Sequence, residues 1–304
     1  MKHAPMTVTD PARGSRDRSV RALRVARLAV ADFFGDEMTT YAAALAYRVL
    51  FSLFPFLIFL TSLLGFFGAP QLFEWMREQA AYVLPAQAME LVNTVLGELR
   101  QTQGGILSAA VALAVFSASM AVVGTMDALN VAYDVKERRP TWKRYVVAVL
   151  YTVALALMLI IAAAAMISGP ALLEWGARYF GLDTLFIVVW SWLRWGVAAV
   201  LLMLVVSIVY YAAPNVKQRF RLITPGAVIA VAAWIAASLA FGYYVQNFAS
   251  YNKTYGSIGA VIVLLFYFYL SAAVMLFGAE VNAVLTRETG GKIEEAPAGA
   301  ARSR

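Results

Sequence analysis

The sequence predicts an all-α protein that crosses a membrane six times. Two observations carry that prediction. Of 304 residues, 62% are apolar and only 14% charged, whereas a soluble domain is about half apolar and about a quarter charged. The charges are also segregated. They gather between apolar stretches long enough to cross a hydrocarbon core as helices, for which about 20 residues suffice. The net charge of +7 therefore reads as membrane topology rather than as a nucleic-acid surface. One membrane domain over residues 17–286 is expected, between disordered tails at 1–16 and 287–304.

Residues 1–16 mix Pro, Gly, Thr and Arg without an apolar period. They lack the apolar core of a cleaved signal peptide, so the first span is expected to act as an uncleaved anchor. Residues 18–34 read as a cytoplasmic amphipathic helix. Val20, Leu23, Val30, Ala31 and Phe34 fall on one face, with Arg18, Arg21 and Arg24 on others and Arg27 intruding. Such a helix suits an anionic leaflet; a solvated helix leading into a span is the alternative.

Span one covers 41–68. Ala42 and Ala46, one turn apart, suit close helix contact. Pro55 cannot donate to the carbonyl of Phe51, which predicts a kink, read as tolerated rather than as a hinge. Residues 71–101 carry Glu74, Arg77, Glu78, Glu90, Glu98 and Arg100 and are too charged to span. Pro85 divides them. Ala88, Val92, Val95 and Leu99 recur at helical spacing, so a periplasmic helical hairpin is expected, a cap or a gate.

Span two covers 105–130, with a stripe of Ala110, Ala114 and Ala118 and with Asp127 and Asn130 near its end. A basic loop follows, then span three at 145–168, stopped by Gly169-Pro170. Span four covers 185–213 and stops at Pro214. After a second basic loop, Thr224-Pro225-Gly226 supplies a cap and a first-turn proline for span five, 225–248. Tyr243, Tyr244, Tyr251 and Tyr255 suit an interfacial belt. Span six covers 256–286 and carries Glu280 and Asn282. The stretch 132–139, AYDVKERR, lines up with 213–220, APNVKQRF. Either spans two–three and four–five are parallel repeats, or two basic loops resemble one another by charge alone.

Orientation follows from Lys and Arg. Nineteen lie in the two tails and the two basic loops, and four on the other side. The positive-inside rule puts both termini in the cytoplasm.

Little enzymatic chemistry is on offer. The chain has no cysteine and one histidine, His3, in a tail. That excludes thiol nucleophiles, thiolate metal sites and histidine pairs. No phosphate loop, nucleophile elbow or HExxH motif is present. No metal and no cofactor are expected. The polar groups within spans are Arg48, Asp127, Asn130, Arg194, Glu280 and Asn282. A charge at the centre of a membrane helix costs roughly 2.5–3.5 kcal/mol on insertion scales, so it should have a partner. Arg48 lies about seven residues into span one, roughly 10 Å at 1.5 Å per residue, a depth similar to that of Glu280 in span six. A buried cluster is expected, centred on Arg48, with Glu280 as main partner and Asp127 second. The second candidate surface is a basic cytoplasmic collar: Lys136, Arg138, Arg139, Lys143, Arg144, Lys217, Arg219 and Arg221.

Four stretches, 41–56 (YAAALAYRVLFSLFPF), 130–143 (NVAYDVKERRPTWK), 210–226 and 255–282, resemble the YihY/BrkB family of inner-membrane proteins, formerly labelled ribonuclease BN. The resemblance spans nearly the whole chain. It implies six spans with both termini inside and a ribonuclease label without catalytic groups behind it. It also implies a link to resistance to serum killing, and movement of lipids or lipid-linked molecules. It carries no catalytic motif onto numbered positions. The expected function is a transporter or flippase of an amphipathic, anionic lipid in the bacterial inner membrane; the alternative is a non-transporting envelope scaffold. Membrane lipids are the expected partners and nucleic acid is not; a homo-oligomer is left open.

Overall fold

The computed structural model describes residues 11–67, 78, 81, 89, 93, 107–156, 158, 183–218, 221–247, 251–288 and 294–295. Seven helices carry most of them: α1 (Pro11–Gly35), α2 (Met38–Phe67), α3 (Leu107–Ala132), α4 (141–156), α5 (Asp183–Ala212), α6 (Pro225–Asn247) and α7 (Tyr251–Glu288). The β structure among them is two residues wide: β1 (Val216–Lys217) pairs antiparallel with β2 (Glu294–Glu295), Val216 opposite Glu295. Among the described residues, Val111–Ala132, Pro225–Val245 and Val261–Glu288 are long and apolar enough to cross a membrane, and Gly196–Ala212 is a shorter apolar helix.

The outward faces are consistent with a lipid surrounding. Phe116 on α3, Leu150 on α4, Val200 on α5 and Leu239 on α6 are all more than half exposed. In water such a surface would be an aggregation liability; against lipid it costs nothing.

The core is densest at the end where the two basic loops meet. Met38, Met126, Leu129 and Leu276 are fully buried there, among Ala42, Ala128, Ala132, Ala279 and Ala283. Small residues let the backbones of α2, α3 and α7 approach, which is how membrane helices gain contact without a hydrophobic driving force. Polar side chains tie further helix pairs. Tyr151 of α4 donates to the Ala212 carbonyl of α5 at 2.9 Å, and Trp234 of α6 donates to Ser271 of α7 at 3.1 Å.

Several boundaries differ from expectation, each for a local reason. Helix α1 starts at Pro11, inside the tail expected to be disordered; proline's fixed φ suits a first helical turn. Helix α4 starts at 141, just after Pro140, where the Arg144 amide closes the first turn on the Pro140 carbonyl. Helix α7 runs 38 residues, past 286, because its last turn is tied to α1 by Arg287–Asp32 at 3.1 Å and Glu288–Arg24 at 3.3 Å. The tail beyond it is not wholly irregular, since it supplies β2. Helix α2 continues through Pro55. The hairpin expected over 71–101, apart from four single residues, and the far half of the span expected at 145–168 lie outside the described residues.

Helix α1 has two apolar faces. Val25, Ala29 and Phe33, at strict four-residue spacing, are buried against Val281, Val284 and Phe277 of α7. The face expected to meet lipid, with Val20, Leu23, Val30 and Phe34, points outward and is exposed.

Candidate functional site

The expected polar cluster does not form as one unit. The structure distributes Arg48, Asp127, Asn130 and Asn282 over three arrangements at the loop end of the bundle, leaves Glu280 without a hydrogen-bond partner, and pairs Arg48 with neither Glu280 nor Asp127. Arg48 projects from α2 onto α3, where Nη1 donates to the Met120 carbonyl at 3.0 Å. Gly124 makes that placement possible, because a Cβ there would collide with the guanidinium. Asp127, further along α3, is instead engaged by Arg144 of α4, which also donates to the Val123 carbonyl at 3.1 Å. Equal depth put Arg48 and Glu280 at one level. Helix rotation, which depth does not constrain, turned them toward different neighbours.

The second arrangement joins the two basic loops. Helix α3 ends in a Schellman turn: Asp134 takes φ 53°, its amide bonds the Val131 carbonyl, and the Val135 amide reaches the Asn130 carbonyl. That reversal folds Glu137 back over the helix end. Asn130 Nδ2 donates to Glu137 at 3.0 Å, and Asn130 Oδ1 accepts the Asn215 amide at 2.7 Å. Arg139 holds the same carboxylate through Nε and Nη2, both at 2.8 Å, and spans to the Ala213 carbonyl at 2.9 Å. Burial alone would push Glu137 up, but the bonds from Arg139 and Asn130 outweigh it and hold the carboxyl below its ordinary range.

The third arrangement surrounds the start of α6. Thr224 caps the helix, its Oγ1 accepting the Ala227 amide at 3.2 Å. Asn282 of α7 completes the cap: Oδ1 accepts the Gly226 amide at 2.8 Å and Nδ2 donates to Thr224 at 3.0 Å. The two backbones touch here, because Gly226 and Gly278 face one another and a Cβ on either would overlap the other's carbonyl oxygen. Buried Tyr210 of α5 donates to the Met275 carbonyl beside them.

Glu280, two residues before Asn282, is fully buried, and neither carboxyl oxygen has a hydrogen-bond partner. The charges that bear on it are Asp36, Asp32 and Arg287. Burial, then the neighbouring Asp32, raises Asp36 itself, against the pull of Arg287. Burial likewise raises Tyr133, which follows α3.

The basic collar divides by role. Lys136, Arg138, Lys143 and Arg221 are exposed. Arg139 and Arg144 turn inward, onto Glu137 and Asp127. The side chains of Lys217, Arg219 and Arg194 lie outside the described set. Sequence reasoning missed Glu137, Asn215, Thr224 as a partner of Asn282, and the acidic pair Asp32 and Asp36. Glu137 had left a signal: it is the lone glutamate among five cations in the first basic loop.

The family model described as "Virulence factor BrkB" matches residues 29–302. The chain is 38% identical over 250 residues to a Bacillus subtilis protein named putative ribonuclease-like protein YfkH, covering 82% of this chain and 90% of that one. It is 28% identical over 275 residues to a UPF0761 membrane protein of Stenotrophomonas maltophilia, covering 88% of this chain and 62% of the relative. A UPF0761 membrane protein of Xanthomonas axonopodis pv. citri is also 28% identical, over 87% of this chain and 61% of its own length. The chain thus spans less than two thirds of those two longer relatives. No solved structure matches. With a family model covering most of its length and apolar helices fit to cross a bilayer, the chain belongs to the BrkB family of membrane proteins.

Proposed function

We propose that this protein moves an anionic lipid, or a lipid-linked anionic molecule, between the leaflets of the bacterial inner membrane. On this reading it has six spans, a helical hairpin over 71–101 on the outer side, and both termini in the cytoplasm, in keeping with the distribution of Lys and Arg. One observation carries the lipid reading. Exposed Lys136, Arg138, Lys143 and Arg221 lie at the end of the bundle where α1 presents its outward apolar face and exposed Arg21 and Arg24. Arg287 links the two regions, bonding Asp32 of α1 and the Ala132 carbonyl that opens the first basic loop. Cations beside an apolar strip match a phosphate headgroup and its acyl chains.

The test uses purified protein in vesicles with headgroup-labelled phosphatidylglycerol and a membrane-impermeant quencher. Protein-dependent loss of protection for the inner-leaflet label, slowed by the combined change Arg138→Ala, Lys143→Ala and Arg221→Ala, supports the reading. Label movement no faster than in empty vesicles refutes it.

A static envelope scaffold is favoured by a different observation: Arg139 is committed to a tie between the two basic loops, and Arg144 and Asn282 to ties between helices. The same vesicle assay separates the two readings. The name of the Bacillus relative raises RNA cleavage. We read the chain as no ribonuclease; cleavage of a transfer RNA precursor by pure protein, abolished by one substitution in the described helices, would overturn that.

A further inference from the structure

Glu280 has no role in the readings above, and its surroundings are unusual for a carboxyl group. It is fully buried near the loop end of α7, and both oxygens lack a donor. The titratable groups around it can be named element by element. Helix α1 contributes Asp32, the turn before α2 contributes Asp36, the residue after α3 is Tyr133, and α7 itself contributes Arg287. Asp134, at the turn after α3, acts on Asp36 in turn. Arg287, the one cation among these, is two helical turns away, and its guanidinium is already engaged by Asp32 at 3.1 Å and by the Ala132 carbonyl at 3.4 Å.

An ionised Glu280 would be a charge without a hydrogen-bond donor, away from water, with two further acids bearing on it and the one cation already engaged elsewhere. A buried carboxyl in that position takes up a proton rather than bear the charge. Other occupants fit less well. Among the described residues, no three His, Cys, Asp or Glu side chains converge to hold a metal ion. The acid on the loop side that bears on it most, Asp36, sits at the turn between α1 and α2 and is partly exposed to water.

We propose that Glu280 is a proton-binding site, a buried carboxyl that rests in its neutral form and exchanges its proton with loop-side water. In the exchange, the O–H bond of Glu280 breaks as one forms on a water molecule, and the reverse step returns the proton to the carboxylate. Nothing is oxidised or reduced. Buried carboxyls of this kind in membrane helices serve as proton relays. The site stands whether or not the protein moves a lipid.

Infrared difference spectroscopy on the full-length protein in lipid tests it. At pH 7 ordinary side-chain carboxyls, with values near about 4, are ionised, so a protonated-carboxyl C=O band surviving there reports a special site. The expected result is such a band, downshifted in deuterium oxide, absent in Glu280→Gln, and unaffected by sodium. Asp36→Asn should retain the band but lose it at lower pH than the native protein, because a neighbouring negative charge is gone. Should Glu280→Gln fail to fold, the Asp36→Asn shift and the deuterium effect decide alone. No band at pH 7, a band that survives Glu280→Gln, or a band that titrates with sodium would each overturn the assignment.

Discussion

Replacing Gly278 by alanine tests the packing that holds the third arrangement together. A Cβ at 278 would lie 2.5 Å from the Tyr210 hydroxyl, 2.6 Å from the Gly226 carbonyl oxygen and 2.7 Å from the Ala230 Cβ. Ordinary contact begins at 3.4 Å, so α6 would have to retreat by about 0.8 Å. Two of the three obstacles belong to the backbone or Cβ of α6 and cannot swing aside. Overpacking of this kind costs about 1–3 kcal/mol. The retreat also stretches the Gly226–Asn282 bond and displaces Tyr210 from the Met275 carbonyl, each worth about 1 kcal/mol. Against this, alanine gains up to about 1 kcal/mol of helix propensity over glycine. The steric terms win, and the expected net loss is about 2–4 kcal/mol. Gly242 on α6 is the matched control. A Cβ there meets nothing within 4 Å, so Gly242→Ala should be neutral, or stabilising by up to about 1 kcal/mol. Equilibrium unfolding in mixed micelles, followed by far-UV ellipticity, reads both variants. If Gly278→Ala proves as stable as Gly242→Ala, the backbone contact between α6 and α7 is not as described.

Three further outcomes are expected. A double-mutant cycle between Asp127→Ala and Arg144→Ala should show coupling of about 1 kcal/mol, since their side chains are 38% and 19% exposed, whereas Arg48→Ala and Glu280→Gln should add within about 0.5 kcal/mol; strong Arg48–Glu280 coupling in the unfolding free energies would contradict the geometry. Glu137 is held below its ordinary value of 4.5, so the stability it contributes is complete above that pH and is lost as pH falls below it. Glu137→Gln should thus be less stable than the native chain at neutral pH, with the gap closing on acidification; thermal melts at a series of pH values check this, and a gap constant with pH would count against it. Asn282→Ala strands the Gly226 amide and half the Thr224 cap, and should cost about 2 kcal/mol in the same unfolding assay.

Much of the architecture was legible in the chain, for reasons that are local. The apolar stretches needed only length and composition to announce helices. Thr224-Pro225 announced the start of α6, because a cap and a first-turn proline act within four residues of one another. Charge bias alone suggested the orientation. The Val25–Ala29–Phe33 stripe that docks α1 was also readable, by its four-residue spacing, yet the neighbouring stripe of Val20, Leu23, Val30 and Phe34 has more apolar bulk. Two apolar faces on one helix do not say which of them meets protein.

The polar pairing was decided by tertiary structure alone. Depth along a span can be counted in residues, and it placed Arg48, Asp127 and Glu280 at similar levels. Pairing also needs the rotation of each helix about its axis and the identity of its neighbours. Those depend on where backbones come closest: at Gly124, which admits the Arg48 guanidinium, and at Gly226 and Gly278, which bring Asn282 onto the start of α6. Glycine and alanine mark close approach in the sequence without naming the partner, since a missing side chain is complementary to any helix. The sequence by itself therefore determined an apolar, helical membrane protein with its cations gathered at one end. Only the packing decided that Arg144 takes Asp127, that Arg139 and Glu137 tie one basic loop to the other, and that Glu280 is buried without a hydrogen-bond partner.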